Sequence, residues 1–272
     1  MPAGAHRKGR RLPDPGQMGG SQRGSQLRSS GQLRPQAGGG LGGHRHAFPS
    51  GALQDEVNQM TGDDGELSGL ARQAIGGILH YGETLAAFGN TVPASYLRLV
   101  PGHESPTSLF WSDLNRAALI RVPLGWRKGE DMASIINHRL KDRYISPFKR
   151  QTIEIRSADG SAHVHLFLTA LVAAIDHGIA HPEAALALAR ERQVKKGERG
   201  DGIPALPADC ATAADLLEEH RDLYSAWIVD HLLDWLIQDL RDKQRAAPLP
   251  QAGAKGRRAA LQAIMHREID IG

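Results

Sequence analysis

Apolar positions recur at helical spacing over residues 67–85 (LSGLARQAIGGILHYGETL), which predicts an amphipathic helix with Ser68 as its cap. The turn signal Asp63-Asp64-Gly65 precedes it, and Gly89-Asn90-Thr91-Val92-Pro93 ends it. Residues 108–111 and 117–122 are short apolar runs of β-forming residues separated by Asp113-Leu114-Asn115-Arg116, and they predict two strands. Residues 151–156 alternate, so a strand there puts Glu154 and Arg156 on one face and Ile153 and Ile155 on the other. After Asp159-Gly160-Ser161 the pattern returns to helical spacing over 162–177, with Gly178 as the expected stop. Pro182 suits the first turn of a helix over 183–192. A charged loop over 195–207 leads to a predicted long helix over 213–241, with an apolar stripe of Trp227, Ile228, Leu232, Trp235, Leu236 and Leu240. Residues 245–256 read as linker and 257–268 as a short terminal helix. Strands beside helices without regular alternation indicate an α+β fold, an antiparallel sheet with packed helices.

Residues 1–43 break this patterning. They are Gly, Arg, Gln, Ser and Pro, and cannot bury enough apolar surface to offset the entropy of ordering, so a disordered tail is expected. They hold seven Lys/Arg against Asp14, a charge of +6 in a chain of +3, leaving residues 44–272 at −3. The basic isoelectric point of about 9.1 is thus a property of the tail, and it does not indicate a nucleic-acid-binding domain. Three readings of the tail stand: a solvated arm, a basic arm that meets anionic surfaces, or an out-of-frame start on a truncated gene. Cys210 is the only cysteine, so no intrachain disulfide can form and a reducing, cytoplasmic setting is expected. No apolar run approaches the roughly 20 residues that span a bilayer.

The candidate chemistry lies in residues 98–123 and 153–156. Arg98, Arg116, Arg121 and Arg156, with Glu104 and Glu154, sit among apolar neighbours. Arginine in such surroundings is costly unless it meets an anion, and its planar fork suits carboxylate and phosphate. This set suits a phosphorylated, carboxylate-bearing substrate. No Gly-rich phosphate loop of the P-loop or dinucleotide type is present.

The order of these residues resembles the glutamine synthetase family, in the C-terminal part of its catalytic domain. The resemblance rests on Asn90, Ser95, Tyr96, Arg98-Leu99-Val100-Pro101-Gly102, Glu104 and Pro106, then Asn115-Arg116, Arg121 and Pro123, then Glu154 and Arg156. It implies an ATP-dependent glutamate–ammonia ligase working through γ-glutamyl phosphate, with Mg²⁺ or Mn²⁺. By resemblance, Glu104 lies on a flap over the site and accepts a proton from ammonium. Arg98, Arg116 and Arg156 meet the glutamate carboxylate and the transferred phosphoryl group. Arg121, Lys149 and His46 are the nucleotide-side residues, and His44 and Glu154 are metal ligands. His44-Arg45-His46 is similar to the family's G-x-H-x-H segment, and on a strand positions i and i+2 share a face. His163-Val164-His165 has the same spacing but falls on a predicted helix, where such a pair diverges. Cys210 reads as a structural thiol.

The chain departs from the family pattern in three places. Arg121 and Lys149 are separated by an inserted stretch, residues 124–148. His103 and Ser105 replace the commoner residues around Glu104, and Ser157-Ala158-Asp159-Gly160-Ser161 lacks the usual proline-flanked exit. Before His44 the only acid is Asp14, whereas the family's site needs several carboxylates. The expected organisation is therefore a tail (1–43), a partial catalytic domain (44–242) and a linker with a short helix (243–272). Such a chain is not expected to turn over alone. Two other readings remain: a non-catalytic nucleotide- or glutamate-binding or assembly subunit, and a γ-glutamyl ligase with another amine acceptor. The family assembles as homo-oligomeric rings, which the resemblance extends to this chain only in part.

Overall fold

A computed structural model describes residues 48–54, 57–62, 64–99, 105–123, 137, 139, 151–195, 198, 200 and 202–247. The expected tail, the insertion apart from residues 137 and 139, and the terminal helix lie outside these residues.

The strands are β1 (Phe48–Ser50), β2 (Leu53–Gln54), β3 (Val57–Asn58), β4 (Ser108–Asp113), β5 (Ala118–Val122) and β6 (Ile153–Ile155). The helices are α1 (Gly69–His80), α2 (Gly82–Gly89), α3 (Pro93–Tyr96), α4 (Val164–Ala180), α5 (Pro182–Glu191), α6 (Cys210–Glu219) and α7 (Asp230–Ala246). A 3₁₀ turn, Arg221–Tyr224, lies between the last two.

The α+β expectation holds. Four strands form one sheet in the order β1-β6-β5-β4, and β2 pairs with β3 as a separate hairpin. β1, β6 and β5 run antiparallel, with Phe48 opposite Ile155 and Arg121 opposite Glu154. β4 joins β5 in parallel, although only residues 114–117 link them. Leu114 makes the reversal with a left-handed φ of 57°, and Ala117 N–H donates to Asn115 Oδ1 at 2.9 Å to tighten it.

Ser68 caps α1 as expected, its hydroxyl accepting from Ala71 N–H at 3.1 Å. The predicted single helix over 67–85 divides at Tyr81, which ends α1 and starts α2. Tyr81 is buried, and its hydroxyl donates to Leu223 O at 3.0 Å, a tertiary anchor that fixes the bend. Gly178 does not stop α4, which continues to Ala180. Its role is close packing: a Cβ there would lie 2.2 Å from Gln73 O, and one at Gly77 would lie 2.0 Å from Ala174 O. α1 and α4 thus touch backbone to backbone. Gly76 does the same against α5, where a Cβ would lie 2.1 Å from Ala185 O.

The long helix expected over 213–241 is instead α6, the 3₁₀ turn and α7. The interruption follows Tyr224, which is fully buried and pairs with Thr84 hydroxyl to hydroxyl at 2.5 Å. The break resets the helical phase. α7 buries Leu233, Leu236, Ile237 and Leu240, at spacings of three and four, while Trp227, Leu232 and Trp235 of the expected stripe are exposed. The core joins α1, α2, α4, α6 and α7 to the sheet through Ile75, Ile78, Phe88, Phe167, Leu119, Ile120, Ile153 and Ile155. Among the described residues no single helix is long and apolar enough to cross a membrane.

Candidate functional site

The polar face of the sheet carries the central feature. Because side chains alternate along β6, Ile153 and Ile155 enter the core while Glu154 and Arg156 share the opposite face. The antiparallel register sets Arg121 directly across from Glu154. Arg121 Nε donates to Glu154 Oε2 at 2.7 Å, and its Nη2 also reaches that oxygen. Arg156 Nε lies 3.7 Å from Glu154 Oε1. One carboxylate is therefore flanked by two guanidinium groups. Glu154 and Arg156 are largely buried, while the Arg121 side chain keeps 24% of its surface exposed. Guanidinium groups at a partly open sheet face are donors whose planar fork suits carboxylate and phosphate.

A second buried polar network lies where β6 ends. Arg98 donates through Nη2 to Ser157 O and lies with Nε 3.5 Å from Asp159 Oδ2. Asn90 Nδ2 donates to the same Ser157 carbonyl at 2.9 Å. Asp159 Oδ1 accepts from Ser161 N–H at 2.9 Å and from the Ser161 hydroxyl at 2.7 Å. Ser161 Oγ in turn meets Thr91 N–H and the Ser95 hydroxyl, each at 3.0 Å. Asn90, Ser95 and Arg98 are motif residues far from 157–161 in sequence, and this network sews the two segments together. Tyr96 lies in the same region. Full burial pushes its phenol well above the ordinary tyrosine value; Cys210, Asp159 and Asp209 act in the same direction and Arg98 opposes them.

The structure thus brings Arg121, Glu154 and Arg156 together and holds Arg98 in the adjoining network. Arg116 lies exposed in the turn between β4 and β5, beside Asn115, whose Nδ2 donates to Glu198 O at 3.2 Å. Glu104, Lys149, His44 and His46 lie outside the described residues. His163 is the cap of α4 rather than part of its body, and its ring packs on Trp235 with centroids 5.2 Å apart. Cys210 is buried and forms no disulfide, as expected of a structural cysteine.

Reading the sequence alone missed Asp159 and Ser161. The signal was the Asp-Gly-Ser string, which reads as a helix-opening turn but also supplies a buried carboxylate for Arg98.

Among the described residues no group of three or more His, Cys, Asp or Glu side chains is arranged to hold a metal ion. Hard divalent cations take several oxygen ligands. Glu154, the described carboxylate assigned to metal, is engaged by Arg121 and Arg156. The described residues do not by themselves fit a metal.

Residues 36–243 match the family described as glutamine synthetase, catalytic domain. The glutamine synthetase of Pyrococcus woesei is 34% identical over 185 residues, covering 67% of this chain and 36% of that protein. That of Aquifex aeolicus is 36% identical over 166 residues, covering 56% of this chain and 29% of that protein. That of Mycobacterium tuberculosis is 31% identical over 205 residues, covering 70% and 38%. Among solved structures, the cryoEM structure of Plasmodium falciparum glutamine synthetase superposes with a TM-score of 0.57 at 18% identity. It covers 79% of this chain and 46% of that one, a likeness of fold. The chain spans about a third of the length of the curated relatives it matches.

Proposed function

The chain belongs to the glutamine synthetase catalytic-domain family, and from that premise we propose that it is part of an ATP-dependent glutamate–ammonia ligase. The observation that carries this reading is the Arg121–Glu154–Arg156 cluster on the polar sheet face, within the family-matched residues. In the reaction an oxygen of the glutamate γ-carboxylate displaces ADP from the γ-phosphorus of ATP. Ammonia then displaces phosphate from the acyl carbon of γ-glutamyl phosphate. The first step brings two anions together, so fixed cations are the main requirement. Arg116 and Arg156 are assigned to the glutamate carboxylate and the transferred phosphoryl group. Arg121, Lys149 and His46 are assigned to the nucleotide. Arg98 is the further substrate-side arginine, fixed by Ser157 O and Asp159. Glu104 accepts the proton that nitrogen releases as the amide forms.

Residues 44–242 form a partial catalytic domain in this proposal, flanked by 1–43 and 243–272. The family's ATP and divalent-metal chemistry takes carboxylates beyond the described set, and in this reading a complementary polypeptide, in a family-type ring, completes the site. A cytoplasmic setting goes with this reading. A second reading, a nucleotide- or glutamate-binding subunit without catalysis, is favoured by the same shortage of metal-holding carboxylates among the described residues. The γ-glutamyl hydroxamate assay tests the proposal. The purified chain is expected to form none alone, and to form it when mixed with the missing catalytic half of a related enzyme. Robust turnover by the chain alone contradicts the partial-site reading. No turnover in the mixture, with nucleotide binding intact, leaves the binding-subunit reading in its place.

A further inference from the structure

Away from the sheet face, four histidines gather where α1, α4, α5 and the 3₁₀ turn meet. His80 is in the last turn of α1, and His177 in the last turn of α4. His181 caps the junction of α4 and α5, and His220 ends α6. The His80 and His177 rings are stacked, with centroids 4.6 Å apart and planes within 2°. The His177 and His181 rings follow at 4.3 Å and 31°. His181 Nδ1 lies 3.0 Å from His177 O. Parallel stacked rings do not aim their nitrogens at a common point, so this is not a preformed metal site, in keeping with the lack of one among the described residues.

Parallel imidazoles in contact are compatible while neutral and repel when both are protonated. The stack sits beside a closely packed joint, where Gly76, Gly77 and Gly178 let α1 touch α5 and α4 backbone to backbone. It also leads inward. His177 packs edge-on against Tyr81 at 5.5 Å, Tyr81 against the buried Tyr224 at 5.3 Å, and Tyr224 against Phe88 at 5.0 Å. From the far end of α5 a link runs to the sheet: the Trp111 indole on β4 donates to Ala189 O at 2.6 Å.

We propose that the His80–His177–His181 stack is a proton-operated latch on the α1–α4–α5 joint, closed when the rings are neutral and loosened when neighbouring rings are charged. This goes beyond the ligase reading and does not depend on it. The groups facing the stack are Tyr81 from α1, Asp176 from α4, His220 from the end of α6 and Asp222 from the 3₁₀ turn. Burial, then His220 and His181, hold His80 below its ordinary value of 6.5. Burial, then His80 and His181, hold His177 below that value, against the opposing pull of Asp176. Burial, then Asp176 and Asp222, push the Tyr81 phenol up, so it stays neutral throughout. The unfolded chain therefore takes up protons at these positions before the folded chain does. Stability is full above the unfolded value of 6.5 and is lost as pH falls through it toward the lower folded values.

The test is urea unfolding of the full chain at about pH 7.5 and about pH 5.5, for wild type, His177→Phe and the control His231→Asn, a histidine of α7 outside the stack. The His177→Phe variant keeps an aromatic ring in the stack and removes the charge. Wild type and His231→Asn are expected to share an acid loss of stability, and His177→Phe to reduce it. NMR titration of the wild-type imidazoles decides the matter even if the variant folds poorly: His80 and His177 should protonate below 6.5 and each should sense the other. Titration of both at the ordinary value, or parallel acid loss in wild type and His177→Phe, overturns the latch.

Discussion

Arg121 on β5 donates through Nε to Glu154 on β6 at 2.7 Å, directly across the antiparallel ladder. Arg156 approaches the other carboxylate oxygen at 3.7 Å. Removing the carboxylate leaves two guanidinium groups facing each other on a largely buried strand. Glu154→Ala is expected to destabilise the fold by about 3 kcal/mol. The double substitution Glu154→Ala with Arg121→Met should recover much of that loss. Urea unfolding of the single and double variants checks both; additive losses would show that the pair does not act as a unit.

The α1–α4 contact is set by glycines. A Cβ at Gly77 or Gly178 meets a carbonyl oxygen of the facing helix at 2.0 or 2.2 Å, and backbone cannot move aside as a side chain can. Gly77→Ala and Gly178→Ala should each cost about 3 kcal/mol or more. Gly69→Ala, with nothing within 4 Å of the added carbon, should stay within about 0.5 kcal/mol of wild type. Thermal melts of the three variants distinguish these outcomes.

Leu114 holds a φ of 57°, the only non-glycine residue with positive φ among those described, and is 41% exposed. Leucine in that region costs roughly 1 kcal/mol and gains little packing here. Leu114→Gly relieves that strain but adds unfolded-chain entropy worth about 0.4 to 1 kcal/mol, so it is expected to stabilise the fold by at most about 0.5 kcal/mol. A rise in unfolding midpoint with unchanged m-value confirms it; a fall would mean that the side chain contributes contacts that outweigh the strain.

Thr84 Oγ1 donates to Tyr81 O at 2.9 Å, so the 2.5 Å contact with Tyr224 is a bond donated by the tyrosine. Tyr224→Phe removes that donor while leaving Thr84 partnered. A loss of about 1 kcal/mol is expected, with the 3₁₀ turn between α6 and α7 retained. Calorimetry gives the loss, and a near-wild-type backbone NMR spectrum shows the turn.

Much of this was legible from residue order because it depends on local spacing. The Ser68 cap, the two strands around Asn115-Arg116, Pro182 at the start of α5 and the Glu154/Arg156 face all follow from short-range rules. The failures came where distant residues decide. Gly178 looks like a helix stop unless Gln73 is known to press against it. The stripe from Trp227 to Leu240 looks continuous until Tyr224 is buried against Thr84, which breaks the helix and turns Trp227 and Trp235 outward. In the site, alternation along β6 revealed which side chains share a face, but not that Glu154 lies opposite Arg121. That pairing needs the β5–β6 register, set across 33 residues. Asp159 went unnoticed for the same reason, since its partner Arg98 is distant in sequence.

The central claim is that the Arg121–Glu154–Arg156 face belongs to a substrate site for nucleotide and glutamate. Calorimetric titration of ATP with Mg²⁺, and separately of L-glutamate, into the purified chain tests it most directly, with Arg121→Met and Arg156→Met alongside. Wild type is expected to bind at least one ligand, and each variant to weaken that binding about tenfold or more, as loss of a charge-assisted hydrogen bond does. No heat from wild type with either ligand, or equal binding by wild type and both variants, would contradict the account.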